Sequence, residues 1–206
     1  MKTLRQHSNE PNGRIIDEAV AALRDGRIII YPTDTLYALG CDAANNKAVE
    51  RLCRIKGINP DKNVLSIVCS DLSQAAAYAR IDNNAFNILR RSLPGPYTFI
   101  LPASSALPKI FKGRRQAGIR IPDCAFARRL AEELGNPLMS SSAVVDADAG
   151  DEITPEAVAD AYGAYSEIAL CIAGEDTGVV PSTIVDLTDS AAPELVRQGK
   201  GEFFEN

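Results

Sequence analysis

The chain alternates between segments with apolar residues at helical spacing and short runs rich in β-branched residues. Apolar residues recur at positions 15, 16, 19, 20, 22 and 23, which predicts a first helix that stops at Gly26. Residues 27–31 follow as a continuous β-branched run, which is typical of a strand buried on both faces. Pro32 ends this predicted strand because proline cannot donate to a sheet.

The same alternation continues to the end of the chain. Helices are predicted from Asn45 or Asn46 to Gly57, from Asp71 to residue 79, from Asp82 to residue 92, from Asp123 to Gly135, and from Thr154 onward. Strands are predicted at residues 64–68, 97–101, 118–121, 137–139, 168–172, 182–187 and 194–197. Interleaved elements of this kind predict an α/β domain with one mixed sheet, mostly parallel where helices intervene and antiparallel near the end.

The sequence predicts one domain after a short tail. Residues 1–12 are expected to be a polar N-terminal tail, and residues 13–206 a single domain, since the chain has no repeat and no low-complexity linker. No apolar run approaches the ~20 residues that span a bilayer. We therefore expect a cytoplasmic protein without a membrane partner.

The cysteine and histidine content excludes several kinds of site. The five cysteines are dispersed and form no C-x-x-C pair, so neither a disulfide framework nor a zinc site is predicted. The single histidine, His7, lies in the predicted tail, which argues against Cys-His and Ser-His-Asp catalysis. The acidic stretch at residues 146–152 lacks the EF-hand spacing, and we expect no metal site in the protein itself.

Charge is distributed unevenly along the chain. Residues 1–120 carry 18 Lys and Arg against 10 Asp and Glu, whereas residues 121–206 carry 4 against 17, within a net charge of -5. Such asymmetry allows local attraction of phosphate groups despite the acidic total, although two differently solvated faces would give the same pattern.

Four places in the sequence concentrate chemistry at predicted strand or helix ends. The loop that begins Pro32-Thr33-Asp34-Thr35 follows a core strand, where ligands of α/β sheets bind, or is a turn in which Thr33 and Asp34 bond their own backbone. Ser140-Ser141-Ser142 offers several hydroxyls to an anion, or is an ordinary polar loop. Arg120, inside an apolar strand, faces either an anionic partner, which the cost of burying a charge favours, or solvent. Lys56 is either a phosphate ligand or a solvated cation.

Taken together, these segments resemble the YrdC/YciO family over nearly the whole chain. The matching landmarks are the segments at residues 31–40, 54–57, 93–98, 118–122, 140–142, 181–186 and 196–199. The resemblance implies a twisted α/β domain with a concave, basic cavity. It also implies threonylcarbamoyl-adenylate synthesis, in which L-threonine, bicarbonate and ATP give threonylcarbamoyl-AMP and pyrophosphate for tRNA modification.

The resemblance also implies roles for individual residues. Thr33, Arg120, Ser140 and Ser182 would lie near the threonine. Lys56, Ser142 and Arg197 would face the nucleotide, with Lys56 and Arg120 as the catalytic pair. Mg²⁺ would accompany ATP by bridging phosphate oxygens, without a tightly bound cofactor.

The chain departs from the pattern of the synthases at two polar positions. They carry Lys-x-Arg where this chain has Lys56-Gly57-Ile58, and Ser-x-Asn where it has Ser142-Ala143-Val144. Gln116 also replaces a frequent threonine, and the 206 residues leave out the extra C-terminal domain of longer relatives. These differences fit the YciO-like branch, and they keep open the alternative of a non-catalytic module that binds a nucleotide, tRNA or double-stranded RNA.

Overall fold

The computed structural model describes residues 1–6, 10–59, 64–107, 115–146 and 152–203. Ten strands form one sheet in the described part of the chain: β1 (Lys2–Arg5), β2 (Ile28–Tyr31), β3 (Ala38–Asp42), β4 (Ser66–Val68), β5 (Tyr97–Pro102), β6 (Gln116–Arg120), β7 (Leu138–Ser142), β8 (Ile168–Ala173), β9 (Thr183–Asp186) and β10 (Glu194–Arg197). Six helices accompany them: α1 (Gly13–Arg24), α2 (Asn46–Lys56), α3 (Leu72–Tyr78), α4 (Asn83–Ser92), α5 (Ala125–Leu134) and α6 (Pro155–Tyr162). The predicted α/β domain with a mixed sheet is confirmed.

The sheet has the strand order β1-β8-β2-β3-β7-β4-β6-β5-β9-β10. Pairing is parallel for β1 with β8, β2 with β8, β4 with β6 and β5 with β9. The last pair, β9 with β10, is antiparallel as expected. Parallel pairing across helices was nevertheless the wrong expectation for β7, which pairs antiparallel with both β3 and β4.

Helices cover both faces of the sheet, and each face has its own core. Apolar residues of α2, α3, α4 and α6 pack on one face, against strand residues such as Leu39, Ile67, Ile119 and Met139. Apolar residues of α1 and α5 pack on the other face, against a smaller group that includes Ile29 and Val68. We call the first face the large-core face and the second the small-core face. The apolar cover of the small-core face is incomplete, and polar residues occupy the rest of that face.

Several predicted helix ends follow from capping chemistry. The side chains of Asn45, Asp71, Asp82 and Thr154 accept a backbone N–H at the starts of α2, α3, α4 and α6. Asp123 was expected to cap α5, but the N-cap is Cys124, which makes no side-chain capping bond. The Asp123 N–H instead donates to Asp34.

The N-terminal tail is a correction to the expected domain boundary. Lys2–Arg5 forms the edge strand β1, paired in parallel with β8, so the domain begins before residue 13. The Gln6 N–H continues this pairing by donating to the Ala173 carbonyl at 2.8 Å. Polar residues suit such a strand because an edge strand keeps much of its surface in water. His7 lies outside the described residues.

Two further segments differ from the sequence-based expectation. Residues 38–40, the last part of the loop predicted from Pro32 to Gly40, open strand β3. The serine cluster does not follow a strand but forms the second half of β7, where Ser140, Ser141 and Ser142 pair with Gly40, Leu39 and Ala38. No described helix is long and apolar enough to cross a membrane.

Candidate functional site

The uncovered part of the small-core face carries a row of small polar residues. Side chains alternate between faces along a strand, so the neighbours of Met139, Ile67 and Ile119, which lie in the large core, point to the opposite side. These neighbours are Ser140 and Ser142 on β7, Ser66 on β4, and Gly118 and Arg120 on β6. Because Ser66 pairs with both Gly118 and Ser140, they form one continuous polar floor.

Gly118 is required by the close packing of this floor. A Cβ atom at this position would lie 2.7 Å from Ser66 Oγ and 3.3 Å from the Thr98 methyl carbon. Ser66 on β4 and Thr98 on β5 therefore lie too close to β6 for any side chain at this position.

Ser140 is fixed within the floor by Tyr31. The two hydroxyl oxygens lie 2.7 Å apart and both residues are buried. Burial raises the pKa of the Tyr31 phenol to about 12, even though the hydrogen bond from Ser140 acts in the opposite direction. Ser142, two residues further along the same strand, is partly exposed. Ser142 is therefore the more accessible of the two predicted ligands.

Arg120 meets the loop of residues 32–37 above this floor. Its Nη2 atom donates to Thr33 Oγ1 at 3.1 Å, Asp34 Oδ1 at 2.5 Å and Thr35 Oγ1 at 2.6 Å. Three strands separate β2 from β6 in the sheet, so the contact is made across the face and not along an edge. The prediction of an anionic partner for Arg120 is met from within the chain, by Asp34.

The Arg120 guanidinium nevertheless keeps one buried N–H without a partner, at Nε. A buried donor that lacks an acceptor costs on the order of 1–3 kcal/mol. Such a group is a binding feature, because an incoming oxygen that accepts this hydrogen bond recovers that cost.

Arg197 brings a second guanidinium to the same region. Its Nη2 donates to the Ser182 carbonyl at 2.7 Å, and the Ser182 hydroxyl lies 3.0 Å from the Thr98 hydroxyl. Burial lowers the pKa of Arg197 below its usual value, and repulsion from the positive Arg120 adds to the effect. Two mutually repelling cations beside hydroxyl groups favour an anion between them.

Lys56 lies at the end of α2, beside α6. Its Nζ is 3.3 Å from the Tyr162 hydroxyl and 5.8 Å from the centre of the Tyr162 ring. The Tyr162 hydroxyl in turn donates to the Val144 carbonyl, two residues after Ser142. The predicted residues thus form two groups. One group lies around Arg120 and contains Thr33, Arg120, Ser182 and Arg197. The other contains Lys56 and the end of β7.

A cavity of about 490 Å³ adjoins the loop of residues 32–35 on the side of α5. Other parts of its wall come from residues 123–126 and 174–178, together with Gln6, Arg128 and Lys200. Its four carboxylates, Asp34, Asp123, Glu175 and Asp176, outnumber Arg128 and Lys200. The expected basic character therefore does not extend to this cavity and belongs to the Arg120 and Arg197 region.

The sequence assigned no contact with the site to Lys200 and none with Arg120 to Asp34 and Thr35. Asp34 and Thr35 bind Arg120, and Lys200 Nζ donates to the Asp34 carbonyl at 2.7 Å. A buried arginine needs an anionic partner, and the loop of residues 32–35 offers Asp34 as a candidate, but the sequence does not pair these two residues, which lie 86 positions apart. The sequence holds no comparable signal for Lys200, which lies 166 residues from Asp34.

The described residues contain no group of three or more His, Cys, Asp or Glu side chains that could hold a metal ion. The site is built instead from arginines, the Asp34 carboxylate, hydroxyl groups and backbone carbonyls. This donor set recognises carboxylate or phosphate oxygens through the guanidinium and hydroxyl groups.

Comparison with known proteins decides the family. The Sua5_yciO_yrdC family model, described as "Telomere recombination", matches residues 21–199. The chain belongs to the Sua5/YciO/YrdC family. The matched range contains every residue of the site described above except Gln6 and Lys200, and the family resemblance expected from the sequence motifs is confirmed.

Within the Sua5/YciO/YrdC family, the chain is 37% identical over 198 residues to the uncharacterized protein YciO of Escherichia coli, covering 95% of this chain and 94% of that protein. The crystal structure of E. coli YciO superimposes with a TM-score of 0.88, at 36% identity and 98% coverage of both chains. A threonylcarbamoyl-AMP synthase of Vibrio vulnificus is 33% identical over 189 residues, covering 89% of this chain and 98% of the synthase.

A third relative is known with a ligand. The crystal structure of Pyrococcus abyssi Sua5 complexed with L-threonine matches with a TM-score of 0.83 at 30% identity. The match covers 97% of this chain and 58% of the Sua5 chain. The fold described here therefore corresponds to part of that longer protein.

Proposed function

We propose that the protein is a nucleotidyltransferase of the L-threonylcarbamoyladenylate synthase type, with a diverged and slow active site. It would convert L-threonine, bicarbonate and ATP into threonylcarbamoyl-AMP, pyrophosphate and water, for modification of tRNA. The observation that carries the proposal is the buried Arg120 guanidinium, with an unpaired Nε–H, beside the hydroxyl groups of the small-core face. The threonine complex of Sua5 and the synthases among the relatives support it.

The amino acid would bind at the Arg120 group. Arg120 would accept the threonine carboxylate, since charge-assisted hydrogen bonds to guanidinium are stronger than neutral ones. Thr33, whose hydroxyl donates to the Leu36 carbonyl at 2.6 Å, would place its oxygen near the same ligand. Ser182 would contribute a second hydroxyl, and Ser140 would remain bonded to Tyr31 in the floor beneath it.

The nucleotide would bind toward the end of β7. Lys56 would supply a point charge for the phosphates, Ser142 a hydroxyl, and Arg197 a guanidinium that also neighbours the threonine. Mg²⁺ would enter with ATP, held by phosphate oxygens and water, because the donor set of the site suits anions and not a protein cage for the metal.

The two apolar replacements account for a slow reaction. Val144 is 62% exposed and offers no polar group beyond Ser142. Ile58 packs against the large core directly after the left-handed Gly57 that ends α2. A donor aimed at the transition state contributes about 3 kcal/mol, so two missing donors would lower the rate by several orders of magnitude.

The test is pyrophosphate release by the purified protein with ATP, Mg²⁺ and bicarbonate. Release that depends on L-threonine, is lost with L-serine or L-valine in its place, and is accompanied by threonylcarbamoyl-AMP in the products is the expected result. Arg120→Gln should abolish the threonine dependence, whereas Arg27→Gln, whose guanidinium binds carbonyls of Ser166 and Glu167, should not. Pyrophosphate release without any effect of threonine would refute the proposal.

A second candidate is a non-catalytic module that binds a nucleotide or structured RNA. The observation in its favour is that Ile58 and Val144 are both apolar. The Lys56 end of the pocket therefore has the Lys56 cation but no charged group at positions 58 and 144. Binding of double-stranded RNA should then weaken steeply with salt, because phosphate contacts release counterions. Absent binding at low salt would eliminate this candidate.

A further inference from the structure

The ion pair between Arg120 and Asp34 is buried in the middle of the candidate site. Both side chains are 9% exposed, and the contact between Nη2 and Asp34 Oδ1 is 2.5 Å long. The hydroxyl groups of Thr33 and Thr35 accept from the same nitrogen. One nitrogen of the guanidinium therefore faces three oxygen atoms.

This crowding bears on how an external carboxylate can bind. A guanidinium grips a carboxylate through two parallel N–H bonds, along either the Nε and Nη2 edge or the Nη1 and Nη2 edge. Nη2, by nomenclature the terminal nitrogen trans to Cδ, belongs to both edges. Nη2 has one N–H on each edge, and while Asp34 and the Thr33 and Thr35 hydroxyl groups occupy these hydrogens, neither edge is free for a second carboxylate and Nε–H stays without a partner.

Asp34 does not form a bidentate pair with Arg120. Its second oxygen, Oδ2, accepts the Asp123 N–H at 3.0 Å, and its backbone carbonyl accepts from Lys200 Nζ at 2.7 Å. The carboxylate is thus shared between Arg120 and the chain before α5. The pairing with Arg120 rests on one carboxylate oxygen and leaves Nε–H unsatisfied, so a bidentate ligand makes the better partner.

We propose that Asp34 is an internal carboxylate that occupies Arg120 in place of the ligand's carboxylate, and that its displacement sets the affinity and selectivity of the amino-acid site. This inference rests on the proposed function for the identity of the ligand. A ligand carboxylate takes the Nε and Nη2 edge, satisfies the unpaired Nε–H and releases Asp34. Analogues of the amino acid that lack the carboxylate cannot compete with Asp34 and gain nothing at Arg120.

The effect on affinity depends on the fraction of molecules in which Arg120 is free of Asp34. When the competent state holds only a fraction of the molecules, the apparent dissociation constant equals the intrinsic one divided by that fraction. If about one molecule in ten has Arg120 free of Asp34, removing the carboxylate tightens binding about tenfold. A residue that merely held Arg120 in place would give the opposite sign.

The experiment compares Asp34→Asn and Asp34→Ser with the unmodified protein by calorimetry and NMR titration. Serine retains a hydroxyl that can accept the Asp123 N–H, which protects the measurement if the asparagine variant folds poorly. The probes are L-threonine, acetate and L-threoninol. Both variants should bind L-threonine and acetate about tenfold more tightly, whereas L-threoninol, a cation without the carboxylate, should show no gain.

Two control variants isolate the contact. Asp123→Asn removes a carboxylate that is 72% exposed and pairs with Arg128, so its affinities should equal those of the unmodified protein. The gain must also vanish when Arg120→Gln is added to Asp34→Asn. Equal or weaker binding of both carboxylates by the folded Asp34 variants would overturn the inference.

The outcome also separates this inference from the proposed function. If acetate binds more tightly to the Asp34 variants but L-threonine binds to none of the proteins, internal occupation of Arg120 stands and the threonine assignment fails. If L-threonine binds the unmodified protein and neither variant tightens it, the threonine assignment stands and the role of Asp34 fails.

Discussion

The ammonium group of Lys56 rests 3.3 Å from the Tyr162 hydroxyl, so a cation proposed to bind phosphate is held in advance by an aromatic side chain. Tyr162 also donates to the Val144 carbonyl, which ties α6 to the chain that leaves β7. This arrangement links the end of α2, through Tyr162, to the chain just after β7.

Lys56→Ala should weaken MgATP binding about tenfold, since hydrogen bonds to charged groups contribute about 1.5–3 kcal/mol. Tyr162→Phe keeps the ring under the ammonium and should cost less than about threefold. Lys47→Ala, an exposed lysine in the first turn of the same helix, is the matched control for charge. Calorimetric titration with MgATP measures all three, and equal losses for Lys56→Ala and Lys47→Ala would contradict the assignment.

Restoring the two missing polar groups should increase synthase activity. Val144→Asn is expected to raise threonine-dependent pyrophosphate release at least about tenfold with little loss of stability, because the side chain is exposed. Ile58→Arg should add a further gain but lower the free energy of unfolding, since Ile58 packs on the large core. Val64→Asn, at another exposed valine, should leave the rate unchanged. No gain from either restoration would mean that these positions do not limit the reaction.

The buried hydroxyl pair beneath the site makes a stability prediction. Tyr31→Phe leaves the Ser140 hydroxyl buried without its partner and should lower the free energy of unfolding by about 1–3 kcal/mol. The double variant Tyr31→Phe with Ser140→Ala should recover part of that loss. Urea denaturation in a double-mutant cycle measures the coupling, and strictly additive effects would show that the two groups act independently.

Filling the gap at Gly118 should disturb both stability and binding. Gly118→Ala places a methyl group against Ser66 and the Thr98 methyl, and overpacking of this kind costs about 1–3 kcal/mol. Gly13→Ala is the control, because nothing lies within 4 Å of the added carbon at the start of α1. Thermal unfolding should separate the two variants; a Gly118→Ala protein as stable as Gly13→Ala would show that the floor tolerates expansion.

The thiol groups differ in accessibility, which predicts one reactive cysteine. Cys41, Cys53, Cys69 and Cys171 are buried, whereas Cys124 is partly exposed at the start of α5. Burial raises the pKa of Cys124 above its ordinary value, with the Ala127 and Phe126 N–H groups opposing the shift. Iodoacetamide should therefore label Cys124 first, slowly at pH 7, and about tenfold faster for each pH unit up to pH 9. Labelling of the folded Cys124→Ser variant at a similar rate would contradict this.

Local signals were sufficient for most elements of the fold. The caps of α2, α3, α4 and α6 and the glycines that end α2 and α5 are short-range chemistry, and those ends follow from the sequence. Strand β3 escaped prediction because it contains Gly40, which has low strand propensity but is needed where the Tyr31 ring lies. Strand β1 was not predicted because its polar residues are as typical of a tail as of an edge strand.

The sequence predicted which residues belong to the site better than it predicted the contacts between them. A charged residue in an apolar strand marks Arg120 as needing an anion, and family motifs pointed to Thr33, Ser182 and Arg197. The sequence could not show that Asp34 already fills part of that need, because the contact joins a loop and a strand with three strands between them. Likewise, the bond of Ser140 to Tyr31 depends on tertiary packing and not on the serine cluster.

The reach of the loop at residues 32–37 across the sheet ties ligand binding to the last stages of folding. The contacts that shape the pocket join residues 87, 109 and 166 positions apart in the chain. Closing such long loops is slow and comes late when a protein of high contact order refolds. Ligand binding should therefore appear only with the final refolding phase, and a ribosome-bound chain that ends before Arg197 and Lys200 should bind L-threonine poorly.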